Sequence, residues 1–92
     1  MSDRRMFKYP LFDVSQAAFD EITEVMAPPS LGINHIAMQN SVVTLWSLVD
    51  IESKPIKRRF RIVGTGHEME PIGNYLGSVQ ERVFVWHIFE IF

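Results

Sequence analysis

Short apolar runs alternate with clusters of Pro, Gly, Asn, Asp and Ser along the chain, a spacing that predicts mostly strands. Met6-Phe7-Lys8-Tyr9-Pro10-Leu11-Phe12 carries aromatics and a proline. It reads as an edge strand, because proline cannot donate to a central ladder. In the stretch from Ser15 to Met26, Ala18, Phe19, Ile22, Val25 and Met26 fall at helical spacing. Ser15 can cap the start and Pro28-Pro29 stop it, so a short amphipathic helix is expected, although Ile22-Thr23-Glu24-Val25 would also serve as a strand. From Leu31 onward the pattern is β. Leu31 to Gln39 and Val42 to Val49 form two runs about Asn40-Ser41, a two-residue hairpin turn. The second run is apolar on both faces, which predicts a central strand. After a polar connection from Asp50 to Pro55, Lys57 to Val63 alternates, with Phe60 and Ile62 on one face and Arg59, Arg61 and Val63 on the other. A loop from Gly64 to Gly73 leads to a strand from Asn74 to Gln80, a turn at Glu81-Arg82 and a last strand from Val83 to Ile91. The expected fold is mainly β, about six strands with one short helix. It is a single small antiparallel β-sheet domain over residues 1–92, a sandwich or partly open barrel in which mostly neighbouring strands pair.

Composition narrows the chemistry. With 92 residues there is room for one core, and 47% hydrophobic against 22% charged residues is ordinary for a globular domain. The net charge of −2 supplies no global field toward nucleic acid, so nucleic acid is not an expected partner. Cysteine is absent, which removes disulfides, thiolate catalysis and Cys-based metal sites. No apolar run approaches the roughly 18 residues that span a bilayer. Met1 to Lys8 has no signal-peptide hydrophobic stretch, and the expected compartment is the cytoplasm.

The most distinctive segment is Gly64-Thr65-Gly66-His67. Two glycines permit positive φ and close approach of a ligand to the amides, and Arg59 and Arg61 lie upstream at alternate positions of one strand face. Together Arg59, Arg61, Gly64, Thr65, Gly66 and His67 are a candidate site for a phosphate or carboxylate. The plainer reading is a sharp exit from a strand, with the arginines solvated or paired with Glu90 across strands. Neither a Walker ending nor a dinucleotide fingerprint is present. His35, His67 and His87 lack short ligand spacing, so no metal and no cofactor is expected. No serine lies in a nucleophile elbow, and Glu68 and Glu70 read as solvated loop acids. The basic cluster Lys54-Pro55-Ile56-Lys57-Arg58-Arg59 reads as a solvated strand entrance, with contact to nucleic-acid phosphates or an acidic protein as the alternative. The last strand is apolar on both sides, with Val83, Val85, Phe89 and Ile91 on one face and Phe84, Trp86, Ile88 and Phe92 on the other. Such a strand is central or covered by another chain, which makes a homodimer a candidate assembly.

Gln39-Asn40, Leu45-Trp46-Ser47-Leu48-Val49-Asp50, Phe60-Arg61-Ile62-Val63-Gly64-Thr65-Gly66-His67, Tyr75-Leu76-Gly77-Ser78-Val79-Gln80 and Val85-Trp86-His87-Ile88-Phe89-Glu90 follow one another in an order that resembles a family of small uncharacterised proteins encoded mainly by bacteriophages and prophages. Members usually show glycine where this chain has Ser41 and proline where it has Glu68. The resemblance implies a phage accessory protein made in the host bacterial cytoplasm, of the sort directed at host machinery or host defence. The expected function is therefore non-enzymatic: binding and inhibiting a bacterial host or defence protein, with Trp46, Trp86 and Phe84 as anchors. The alternative is a sponge that sequesters a nucleotide-like signal, a phosphate-bearing small molecule, at Arg59, Arg61 and Gly64 to His67.

Overall fold

A computed structural model describes residues 3–15, 20–68 and 73–91 of the chain. Among the described residues there are seven strands: β1 (Arg4–Asp13), β2 (Asp20–Ala27), β3 (Ser30–Gln39), β4 (Val42–Asp50), β5 (Ile56–Gly64), β6 (Asn74–Glu81) and β7 (Phe84–Ile91). They form two antiparallel sheets, β1-β4-β3 and β2-β5-β7-β6, stacked as an open sandwich. The expected antiparallel β domain is therefore present. Its connectivity differs from the expected neighbour pairing: only β3-β4 and β6-β7 are sequential hairpins, while β1-β4, β2-β5 and β5-β7 join strands distant in the chain. Each crossing between sheets lets both apolar faces be buried without a covering helix.

The expected helix is corrected by β2. Residues 20–27 pair along their whole length with β5, from Asp20 opposite Val63 to Ala27 opposite Ile56. Helical spacing and β-branching competed over Ile22, Thr23 and Val25, and the neighbouring strand decided in favour of sheet. The supposed helical stripe is split: Val25 packs against the core while Ile22 and Met26 stand exposed. Residues 16–19, the first part of that expected helix, lie outside the described residues.

β1 is an edge strand carrying Pro10, and β4 is central in its sheet, both as the pattern predicts. A register shift between Pro10 and Phe12 lets the consecutive Leu11 and Phe12 both be buried. Asn40 and Ser41 take φ of 52° and 65°, the left-handed pair that a two-residue hairpin needs. The second hairpin turn sits one residue later than expected. Glu81 pairs with Phe84, Arg82 takes φ 56°, and Val83 stands exposed instead of starting the strand.

Leu11, Phe12, Ile36, Val43, Leu45, Phe60, Ile62, Val79, Trp86 and Ile88 make the core between the sheets. β7 is central, between β5 and β6, with Trp86 and Ile88 in the core and Val85 and Phe89 half-buried on its other face. Gly73 precedes β6 at φ 92°, and a Cβ there would collide with the Glu90 carbonyl. Only glycine fits so close to the backbone of β7. Among the described residues, no helix is long and apolar enough to cross a membrane.

Candidate functional site

The strands are not regular at the end of the sandwich where β2 leads through Pro28-Pro29 into β3. Ser30 pairs with Val49 and Asn34 with Ser47, so Leu31, Gly32 and Ile33 stand where β4 offers Leu48 alone. Gly32 takes φ 98°, and its N–H donates to Ser30 Oγ at 3.1 Å. This bulge lifts β3 away from the other sheet and opens a cleft of about 340 Å³ between Ser30, Gly32 and Asn34 on one side and Ile56 to Arg59, Asn74, Leu76 and Glu90 on the other. The volume lies within the size range of small-ligand and side-chain pockets.

The floor of the cleft is charged. Arg58 shares the inward face of β5 with Phe60 and Ile62, and its side chain is 1% exposed. Nε and Nη2 donate to the two Glu90 oxygens at 2.7 and 2.8 Å, a bidentate pair. Nη1 reaches Ser47 Oγ at 3.2 Å and the Pro28 carbonyl at 3.4 Å, and the guanidinium lies 5.3 Å from the Phe60 ring centre. Ser47 and Ser30 hydroxyls both donate to Asn34 Oδ1, at 2.8 and 3.1 Å. One connected network thus fixes Glu90, Arg58, Ser47, Asn34 and Ser30, and a cation sealed in this way needs every one of these partners. Burial raises the proton affinity of the nearby Tyr9 hydroxyl above its ordinary value, and the Arg58 charge offsets part of that rise.

The sequence-predicted residues fall elsewhere. Arg59 is exposed and meets Glu24 at 3.5 Å, beside Lys57 at 3.8 Å from the same carboxylate. Glu90 belongs to Arg58, so the expected pairing of Glu90 with Arg59 or Arg61 is corrected. Arg58 itself is not part of a solvated cluster. Gly64 closes β5 and Arg59 lies five residues before it, about 16 Å away along the strand. Gly64 is a strand residue opposite Trp86, and Gly66 takes the positive φ, 86°. Two amides of this turn are spent inside the fold: Thr65 N–H donates to the Val85 carbonyl at 3.0 Å and His67 N–H to the Gly64 carbonyl at 3.1 Å. Thr65 Oγ1 also donates to the Val85 carbonyl at 3.2 Å and lies 2.7 Å from His87 Nε2, whose Nδ1 is 3.0 Å from the Tyr75 hydroxyl. Glu70 of the expected acid pair lies outside the described residues, as does Phe92.

Trp86 is 5% exposed and belongs to the core, which withdraws it from the expected surface anchors. Phe84 is exposed and stacks 5.9 Å from Trp86, and Trp46 is half-buried on the outer face of the other sheet, 5.9 Å from His35. His35 and His87 occupy the outer faces of different sheets, and His67 is exposed in the turn. Sequence reasoning missed the Arg58–Glu90 floor, although alternation carried a signal for it. Arg58 has the parity of Phe60 and Ile62, and Glu90 that of Trp86 and Ile88.

Residues 2–91 match the family model described as Domain of unknown function (DUF7352). The chain belongs to this family. No curated protein and no solved structure matches it. Membership accords with the expected uncharacterised family and assigns no activity, so the cleft has to be read from its own chemistry.

Proposed function

We propose that the protein is a non-enzymatic binding module of phage origin that docks on a bacterial host or defence protein in the host cytoplasm, using the cleft end of the sandwich. The observation that carries this reading is the make-up of that end. Ile56, 46% exposed, lines the cleft, and Leu31 and Ile33, 44% and 57% exposed, flank Gly32 in the bulge at its edge. Exposed aliphatic side chains in and beside a pocket are a usual form of a protein-binding hot spot. The fixed network beneath them lowers the ordering cost of association. The side-chain amides of Asn34 and Asn74 line the same opening and suit the backbone of an extended segment. Ser30 at the cleft and the buried Ser47 beneath it both donate to Asn34, so neither is aligned on a base. That supports binding over catalysis. The nucleotide-sponge alternative is less well supported, because Arg59 lies far along β5 from the glycine turn.

The test is affinity capture from bacterial lysate with the wild-type protein, Leu31→Ser/Ile33→Ser, and Trp46→Ala as a control on the opposite sheet. A partner held by wild type and by Trp46→Ala but lost by the bulge variant supports docking at the cleft. A partner retained equally by all three places the interface elsewhere.

A further inference from the structure

The outer face of the four-stranded sheet carries a second constellation, which shares only Lys57 and Arg59 with the lining of the cleft. The register sets Ile22, Arg61, Phe89 and Tyr75 in one row across β2, β5, β7 and β6. Tyr75 is 54% exposed, and its ring stands edge-on to Phe89 at 5.2 Å and 5.9 Å from the His87 ring. One tautomer satisfies the whole chain of contacts: Tyr75 O–H donates to His87 Nδ1, His87 Nε2–H donates to Thr65 Oγ1, and Thr65 O–H donates to the Val85 carbonyl. Tyr75 is thereby held over β7 with ring surface still open to solvent. Lys57, Arg59 and Arg61 alternate along the same face of β5, about two strand spacings, roughly 10 Å, from β6. Glu24 is one carboxylate shared by Lys57 and Arg59 in exposed pairs. Such pairs are weak, and a phosphate can displace them.

We infer that this face binds single-stranded nucleic acid, one base stacking on Tyr75 with Phe89 and His87 bracing it, and the phosphates following the cations of β5. An aromatic ring on a sheet surface beside a line of cations offers both contacts that an unpaired strand needs. A duplex keeps its bases stacked inside and has no use for the ring. An acidic peptide would use the cations alone. The chain's overall charge of −2 does not oppose this, because attraction over a Debye length depends on the local face.

The test is fluorescence anisotropy with labelled oligo-dT and oligo-U of about 12 nucleotides, within the usual footprint of such surfaces. Tyr75→Ala is expected to weaken binding on the order of 5- to 150-fold, the loss of one stacked base, while Tyr75→Phe keeps most of the affinity. Lys57→Gln and Arg59→Gln should each reduce the salt slope by about 0.7. Four outcomes overturn the inference: no binding at low salt, full affinity in a folded Tyr75→Ala, equal affinity for duplex, or competition by a mononucleotide at the oligomer's own concentration. Leu31→Ser/Ile33→Ser should leave oligonucleotide affinity unchanged, which keeps this result separate from that of the cleft.

Discussion

Replacing Glu90 by Leu strips the Arg58 guanidinium of two charge-assisted hydrogen bonds and leaves a cation whose side chain is 1% exposed with only Ser47 Oγ and the Pro28 carbonyl. Removing one partner of a buried ion pair costs about 3–5 kcal/mol. The structure places Glu90→Leu at the upper end, because the Arg58 side chain is only 1% exposed. Arg58→Met belongs at the lower end, because Glu90 is already 13% exposed and its carboxylate can hydrate through the cleft. For 92 residues the unfolding entropy is about 0.19 kcal/mol/K, so Tm falls by roughly 15–25 °C. The double variant Arg58→Met/Glu90→Leu leaves no unpaired charge and should return to within about 1 kcal/mol of wild type. Urea unfolding of the four proteins, followed by tryptophan fluorescence, gives the coupling energy directly. A sealed ion pair is refuted if the single losses simply add in the double variant, or if Glu90→Leu is milder than Arg58→Met. Either result would mean that the guanidinium reaches solvent.

Other expectations follow from single contacts. The Tyr9 hydroxyl is buried and has no hydrogen-bond partner among the described residues, so Tyr9→Phe should match or exceed wild-type stability at neutral pH in the same urea assay. Burial holds the Tyr9 proton above the ordinary value of 10.0, with Arg58 opposing; the folded state therefore binds that proton more tightly. Its share of stability is present below about pH 10 and is lost as pH rises further, an alkaline loss that should shrink in Tyr9→Phe. Gly73→Ala sets a side chain at φ 92° against the Glu90 carbonyl and should cost about 1–3 kcal/mol in a thermal melt; an unchanged Tm would show that β6 can shift away from β7. The Ser15 hydroxyl and then its amide hold the Asp13 carboxyl below the ordinary 3.8, so its contribution is present above the unfolded value and lost on acidification. In Ser15→Ala, an NMR titration should find the Asp13 midpoint moved upward, and an unmoved midpoint would count against the hydroxyl's role.

Strand identity and face were largely legible in the chain itself. Alternation, β-branching and the Asn40-Ser41 turn locate most of β1 and β3 to β7, because period-two burial writes directly onto sequence. The same parity holds the polar floor, since Arg58 and Glu90 each interrupt an inward apolar series. Their charge alone suggests a solvated surface, and only the approach of β7 to β5 turns two exposed-looking ions into a buried pair. Beyond the two hairpins, which strands pair was not legible, because partners such as β1 and β4 are far apart in the chain and their choice depends on how two sheets close over one core. β2 was decided in the same way: its local preferences were divided, and the open edge of β5 settled them. The cleft and the Tyr75 face likewise exist only in three dimensions. A bulge in β3 opens the one, and the register of β5, β7 and β6 assembles the other from residues that composition averages into a mildly acidic whole.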